Sequence, residues 1–550
     1  MKRLLALMAS CLVVGLSGYW LTRQRPPTPE LVDFLPAETA IVLEGDNLAH
    51  TWGQWRQSLV GEQLRRFDLV SLLSRQGLPE SFTRQLSTFG ASIEQVTKVP
   101  LFAQLFTRKA AVALLPDPSQ TRLSNESMAH NLVVLVRVPK ETVPLQWFED
   151  SFGPVRSTSV STYQRQRLVT LQFDHGIAVS YCLTRQILIA SLTARSVQRC
   201  INQSLQHMVQ NQTGLRVNQR YHRLKTFAGA KADPFLFANF QVLSPFPYLG
   251  KDGEESPLQQ IALFHQHDGG KGRFGALALI DQERLSALTN RYHMTFPVER
   301  RWFQYISPET EFLFWTNWFN LQSFWELVQN TGTPEVTSLL ANFSTYLAHA
   351  TEQTTQTFFD VFGSEFGVFI TRQQEAHQSP RSMACVAIEV RDRGRVEALL
   401  RKMLADLQAV TVVSEKAEIV SVILAGGLLQ PAYSLMGNML VFADRVDLIE
   451  QVHRYIVQSD QAARDTVREG SNVILFLRTG QIVQRLLPLL TLLAKGNGGK
   501  TDILTPETRV LIQQIVLPAL KRMESIETSR LRSYAHEDEL ALEIEYTMRH

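Results

Sequence analysis

A chain of 550 residues with 45% hydrophobic and 19% charged residues and a mean hydropathy of −0.07 has the profile of a folded globular protein, which excludes a disordered or fibrous chain. Lys and Arg number 55 against 52 Asp and Glu, a net charge of +3, and neither sign forms a block. The clustered cations of a nucleic-acid footprint are missing, so no nucleic-acid partner is expected.

Lys2 and Arg3 precede an uncharged stretch from Leu4 to Leu21, and Arg23 and Arg25 follow it. As a helix this stretch would be about 27 Å long, enough for a hydrocarbon core of about 30 Å. Leu4, Leu5, Leu12, Val13 and Val14 supply its apolar surface, and Trp20 stands where an interfacial aromatic belt would lie. The reading is a single-pass signal-anchor in the inner (cytoplasmic) membrane. A cleaved signal peptide with Gly18 near the cut and a lipoprotein signal ending before Cys11 are the alternatives. RPPTPE, Arg25 to Glu30, is a short stiff spacer. No second apolar stretch of that length follows, so the bulk of the chain is expected on the extracytoplasmic, periplasmic side.

Ile41 to Asp46 reads as a short strand, and Asn47 caps a helix that carries Trp52 and Trp55. Val133 to Val138 is a β-branched strand followed by a helix near Leu145 to Phe152. RLVTLQF, IAVSYCL and ILIASL then read as three successive antiparallel strands, closing on a helix from Thr193 to Leu205. RFGALALI, Arg273 to Ile280, and LTNRYHMTF, Leu288 to Phe296, read as a terminal hairpin.

The chain then repeats itself. Tyr433 to Val452 reproduces the apolar pattern of Tyr181 to Cys200, and the same offset carries Leu132–Phe148 onto Ala384–Leu400 and Leu288–Phe296 onto Leu540–Met548. PAET at Pro36 to Thr39 parallels SPET at Ser307 to Thr310. The expected fold class is therefore α+β, a tandem duplication of one domain with mostly antiparallel sheet and flanking helices, preceded by a single N-terminal transmembrane helix. The boundaries read as 1–30 for the signal-anchor and spacer, 31–300 for copy one and 301–550 for copy two.

Candidate chemistry is thin. AKGNGGKT, Ala494 to Thr501, falls one residue short of a phosphate-binding P-loop and follows a helical segment instead of a strand, so it reads as a helix-to-helix loop. HQHDGG, His265 to Gly270, offers two His and an Asp in a loop without a further ligand, and reads as a solvated loop. No catalytic residue, metal ligand or cofactor site is assigned. Cys182 and Cys200 could pair as a disulfide, but their repeat counterparts are Ser434 and Val452, so buried thiols are the favoured reading.

The copies differ most where AIVLEGDNL, Ala40 to Leu48, faces EFLFWTNWF, Glu311 to Phe319. That alignment sets Trp315 against Glu44 and Trp318 against Asn47. Trp315, Trp318 and Phe319 then fill a seam between the copies or a local core. Alternatively they form an exposed anchor patch for a partner.

The N-terminal anchor, the P-x-E-T strand start at Pro36 to Thr39, the helix bearing Trp52 and Trp55, and the block LFTRKAAVALLP, Leu105 to Pro116, resemble bacterial membrane-anchored envelope proteins known only as a domain of unknown function. The resemblance implies an envelope location and carries no site residues. The functional expectation is a membrane-tethered extracytoplasmic binding or scaffold protein whose partner is an envelope protein or envelope component, held along a cleft between the copies. A hydrolase with its site in that cleft and a carrier of an apolar ligand are the alternatives.

Overall fold

Alternating apolar positions dictate strands throughout the part of the chain that the structure, a computed structural model, describes: residues 29–57, 97–116, 130–139, 144–210, 213–243, 258–281, 283, 310–331, 334–373, 381–405, 409–414, 417–423, 430–458, 471–495, 512–536 and 538–549. The chain divides into two units, residues 1–49 with 92–222 and residues 50–91 with 223–550.

Unit one holds β1 (Ile41–Gly45), β2 (Ala110–Leu114), β3 (Leu132–Arg137), β4 (Val155–Tyr163), β5 (Gln166–Phe173), β6 (Ala178–Thr184) and β7 (Ile187–Ser191). They pair antiparallel in the order β1-β2-β3-β7-β6-β5-β4. The helices here are α1 (Leu48–Gln57), α2 (Pro100–Phe106), α3 (Pro144–Phe152), α4 (Ala194–Gln210) and α5 (Gln219–Ala228). Of these, α1 and α5 run across the division between the units. On one face of the sheet Leu105 and Phe106 of α2 meet Val136 and Leu188, while Phe148 of α3 meets Val169, Leu171 and Ala190. The opposite face carries Leu135, Cys182 and Ile189 and is covered by α4, which buries Val197, Cys200 and Ile201. All five residues of β7 are buried, as a strand sandwiched between two helical layers must be.

Unit two holds β8 (Phe235–Asn239), β9 (Leu258–Asp268), β10 (Lys271–Ile280), β11 (Thr310–Thr316), β12 (Phe362–Gln373), β13 (Arg381–Val390), β14 (Ala409–Ser414), β15 (Ala417–Val422), β16 (Ala432–Met436), β17 (Met439–Ala443), β18 (Val473–Leu477), β19 (Ile526–His536) and β20 (Glu539–Met548). Its helices are α6 (Leu321–Thr331), α7 (Pro334–Thr351), α8 (Thr355–Phe359), α9 (Arg393–Met403), α10 (Val446–Gln458), α11 (Thr479–Lys495) and α12 (Leu517–Met523). The strands form one antiparallel sheet in the order β14-β15-β16-β17-β13-β12-β11-β18-β19-β20-β10-β9-β8. Leu448, Ile449 and Val452 of α10 pack on one face with Trp315, Cys385 and Val441. Val396, Leu399 and Leu400 of α9 pack on the other with Ile388, Val390 and Leu440. The run β11-β12-β13-β17-β16-β15-β14 has the strand order found in unit one.

The expected fold class is corrected in the arrangement of its sheets. The copies do not each carry a sheet of their own: β8, β9 and β10, which precede residue 300, belong to the same sheet as β11 to β20, because β10 pairs along its length with β20. Among the described residues no helix is long and apolar enough to cross a membrane. The stretch Leu4 to Leu21, with Leu5, Leu12, Val13, Val14 and Trp20, lies outside the described residues, as does Leu288–Phe296, the second arm of the expected terminal hairpin. β10 instead forms its hairpin with β9. Residues Gly269 and Gly270, both at positive φ, make the two-residue turn that such a hairpin requires.

Two glycines in β10 sit beneath aromatic rings of the neighbouring strands. Gly275 lies opposite Phe264 of β9 and Gly272 opposite Tyr546 of β20, and a Cβ at either position would overlap the facing ring. Glycine weakens a strand by exposing its backbone, and the ring restores the lost cover. Gly275→Ala is expected to lower stability by about 1–3 kcal/mol through overpacking of the fully buried Phe264 ring, read by urea denaturation.

Cys182, Cys200 and Cys385 are free and buried. Burial pushes the Cys182 thiol up to about 11 and the Cys200 thiol up to about 12, the latter against a smaller opposing effect of Arg199. Thiolate is the reactive form, so these three are expected to stay unlabelled by maleimide in the native protein at about pH 8 and to label fully in denaturant without reductant. A missing pair of thiols in denaturant would instead reveal a disulfide.

Candidate functional site

The stretches Ser529-Arg530-Leu531-Arg532-Ser533-Tyr534 and Leu542-Glu543-Ile544-Glu545-Tyr546 alternate charged and apolar residues with the period of a strand. In the antiparallel pair β19–β20 Arg532 stands opposite Glu543 and Arg530 opposite Glu545, while Arg273 of β10 stands opposite Glu545 on the other side. Three arginines and two glutamates therefore share one face of unit two's sheet.

Glu543 is the centre of this group. It is 1% exposed, and its two carboxylate oxygens accept from different arginines: Oε1 from Arg273 Nη2, and Oε2 from Arg532 Nη2 at 3.1 Å. The same Arg532 nitrogen donates to Glu545 Oε1 at 2.6 Å. The Arg273 guanidinium also lies over two rings, 4.9 Å from the Phe264 centroid and 5.3 Å from that of Phe227 on α5. Phe227 in turn meets Phe264 and Tyr534 edge-on. Aromatic faces and carboxylates together satisfy cations that would otherwise cost several kcal/mol to bury.

Arg530 differs from its neighbours. It is half-buried, its Nε is buried without a hydrogen-bond partner, and among the described residues its guanidinium has no ion-pair partner. Burial first, and the positive charge of Arg532 second, pull its pKa below the usual guanidinium range, with Glu545 opposing.

The opposite face of the same strands holds the histidines of HQHDGG, which is strand and turn where a loop was expected. His265 and His267 share that face at alternate positions of β9, and His265 Nε2 lies 3.1 Å from the Tyr546 hydroxyl, reached across Gly272. Burial, then His267, lower the His265 pKa. Asp268 points to the other face and pairs with Lys231 at 2.6 Å. The three residues do not converge on a point, and among the described residues no group of three or more His, Cys, Asp or Glu could hold a metal. Of AKGNGGKT only Ala494 and Lys495, the end of α11, lie within the described residues.

Trp315 is fully buried in unit two's own core, and its Nε1 donates to Glu365 Oε1 at 3.0 Å. It offers no surface to a partner. Trp318 is partly buried, and Phe319 stacks on Phe366 at 4.3 Å beside Phe324. In unit one Glu44, the position aligned with Trp315, accepts from the buried Tyr221 hydroxyl at 2.8 Å. Burial, then Glu44, push that phenol well above its usual range. The arginine–glutamate face went unrecognised in the sequence because isolated carboxylates carry no signal; the alternation in both strands is what could have shown it.

Glu543→Gln leaves Arg273 and Arg532 without their shared charge and is expected to cost about 3–5 kcal/mol, read by chemical denaturation. The exposed pair Lys231–Asp268 provides the contrast, with Asp268→Asn expected to leave the denaturation midpoint essentially unchanged.

No family model matches the chain, and no curated protein matches it. Crystal form I of TP0453 is similar over 50% of this chain and 90% of its own at 6% identity, with a TM-score of 0.23. Crystal form IV of TP0453 is similar over 49% and 88% at 11% identity, with a TM-score of 0.24. Likeness at this level carries no argument about the fold or function of the present chain.

Proposed function

We propose that this chain is a membrane-tethered extracytoplasmic binding or scaffold protein, anchored through Leu4 to Leu21 in the inner membrane of a bacterial envelope. The observation that supports the binding role is a ridge of exposed leucines on α11. Leu486, Leu489 and Leu492, spaced three apart, are 40%, 58% and 65% exposed on a helix whose charges are Arg485 and Lys495. Arg485 is occupied, its two terminal nitrogens donating to the buried Glu311 at 2.6 and 2.8 Å, which fixes α11 on β11 and leaves the leucines outward. Burying what remains exposed of the three leucines against a partner would gain roughly 1–2 kcal/mol each. A single stripe at this spacing suits a helix or groove of a protein partner, and a tether would hold that partner's search to the membrane surface.

Alkaline carbonate washing is expected to leave the full-length chain with the membrane, and protease added to spheroplasts to digest most of it. Release of a shortened soluble form would refute the tether. A photo-crosslinking amino acid in place of Leu489 is expected to yield protein adducts of discrete mass in cells, whereas one in place of the exposed Ser159 of β4 yields none. Equal yields at the two positions, or adducts to lipid alone, would refute the partner surface.

A further inference from the structure

The tether and the exposed arginines of unit one meet at the same end of its sheet. Pro29 follows Leu21, the last residue of the apolar stretch, by eight residues, so even a fully extended chain places it within about 28 Å of the membrane. Its carbonyl accepts from Arg137 Nη2 at 2.7 Å, and Arg137 is the last residue of β3. Two backbone bonds fix what lies around that point: Arg137 N donates to Lys109 O at 2.9 Å, and Val138 N donates to Gln186 O, in the β6–β7 turn, at 2.8 Å. β5 pairs with β6 from Leu168 opposite Cys182 onward, which sets the β4–β5 turn, Gln164–Arg165, at the same end as the β6–β7 turn, Arg185–Gln186. The two turns are two strand spacings apart, about 10 Å.

All four turn residues have positive φ, between 48° and 65°, where Gly and Asn are favoured, yet each turn is built of one Arg and one Gln. From Val155 to Phe173 and from Ala178 to Ser191 the chain has no Asp or Glu. Arg165, Arg167 and Arg185 are exposed at the tether end, where Arg108, Lys109 and Arg137 also stand. The carboxylates of the described residues at this end are Asp46, 4.0 Å from Lys109, Glu44, which accepts from Tyr221, and Glu30 next to Pro29. None of them stands on the two hairpins. At the opposite end the same four strands and their turn hold one charge of each sign, Arg156 and Asp174.

We infer that the hairpin end of unit one lies on the membrane that holds the tether, with Arg165, Arg167 and Arg185 bound to anionic lipid headgroups. A guanidinium can meet a headgroup phosphate with two parallel N–H donors. The tight turns hold the cations along one edge before any contact is made, and the tether gives that edge a high local concentration of headgroups. This orientation rests on Leu4 to Leu21 being the tether proposed above, and adds to it which end of unit one faces the bilayer and which class of lipid it takes.

The test uses the full-length chain with Cys11→Ser, in vesicles that carry a quencher on a small fraction of headgroups. A maleimide fluorophore is attached at Gln164→Cys, on the β4–β5 turn, or at Asp174→Cys, at the other end of β5 about 25 Å away. Cys182, Cys200 and Cys385 are buried and stay unlabelled. The fluorophore on Gln164→Cys is expected to be quenched in vesicles containing phosphatidylglycerol and much less in phosphatidylcholine alone, while that on Asp174→Cys is quenched little in either. About 1 M sodium chloride, which shortens the Debye length to about 3 Å, is expected to abolish the difference. Arg165→Gln with Arg167→Gln, both exposed changes, is expected to weaken the docked state about 25-fold, about fivefold for each cation. Equal quenching at the two positions, or quenching that phosphatidylglycerol does not raise, would overturn the docking. So would a photo-crosslinking amino acid in place of Gln186 that yields protein adducts and no lipid adducts in cells, which would give the turns to an acidic protein partner. Flotation with phosphatidylcholine vesicles reads the tether separately. A chain that does not float there lacks the tether, and the headgroup contact then stands if phosphatidylglycerol vesicles float it through the same arginines and falls if they do not.

Discussion

The pairing of β10 with β20 is the constraint on which unit two depends. It joins strands far apart in the sequence and sets two things at once, Arg273 beside the glutamates and Gly272 beneath Tyr546, while the β9–β10 hairpin sets Gly275 beneath Phe264. A slip of one residue would turn the arginine–glutamate face outward and drive Phe274 and Ile544 into the place of the charges. The two glycines oppose such a slip, since any side chain brought under Phe264 or Tyr546 would collide with the ring. Register is thus held by sterics on both faces and by ion pairs on one.

Ion pairs of this kind specify more than they stabilise. Bringing Glu543, Arg532 and Arg273 out of water costs several kcal/mol per ion before their mutual attraction is counted, and an apolar trio of equal volume could serve stability as well. What the charges add is a steep penalty for mispairing. A second polar device works at the neighbouring strands: the buried Asn472 donates to Asn317 Oδ1 at 3.0 Å and accepts from the Ala535 backbone at 2.7 Å, tying β18 to the end of β11 and to β19. Apolar contacts alone would tolerate several registers here; these groups tolerate one.

Much of this fold was legible residue by residue. The β-branched runs at Val133–Val138 and Ile187–Ser191, the turn at Arg185–Gln186 and the amphipathic helices after them lie where the apolar period places them. Some strands escaped, β4 and β9 among them. β4, VRSTSVSTY, is exposed at nearly every position, so no apolar alternation marks it, and its pairing with β5 supplies all of its order. The end of β9 read as a loop because His265, Gln266, His267 and Asp268 are polar and the buried alternation stops at Phe264, yet the pairing with β10 continues through all four. The repeated pattern also pointed to two separate sheets, and a pattern of apolar positions contains nothing to say which strand a free edge will find. For the same reason the charged face stayed hidden: Arg530, Arg532, Glu543 and Glu545 become neighbours only once β19 and β20 are laid antiparallel. Trp315 was legible as a residue of consequence, and its surroundings, not its identity, make it a core side chain.

The place of β20 between β19 and β10 governs how the chain can be made. A ribosome delivers β8, β9 and β10 long before residues 539–548 exist, so the hairpin β9–β10 must wait with one edge open while the rest of unit two is synthesised. Its two glycines leave that waiting edge poor in side chains, and contacts of such sequence separation close slowly. An unpaired edge is also the surface on which chains pair with one another by mistake. Vectorial synthesis therefore exposes this molecule to a period of vulnerability whose length is set by translation and, for a chain exported unfolded, by transport, and the charges at Arg273 and Lys271 stand on the very edge that must be kept from the wrong neighbour until then.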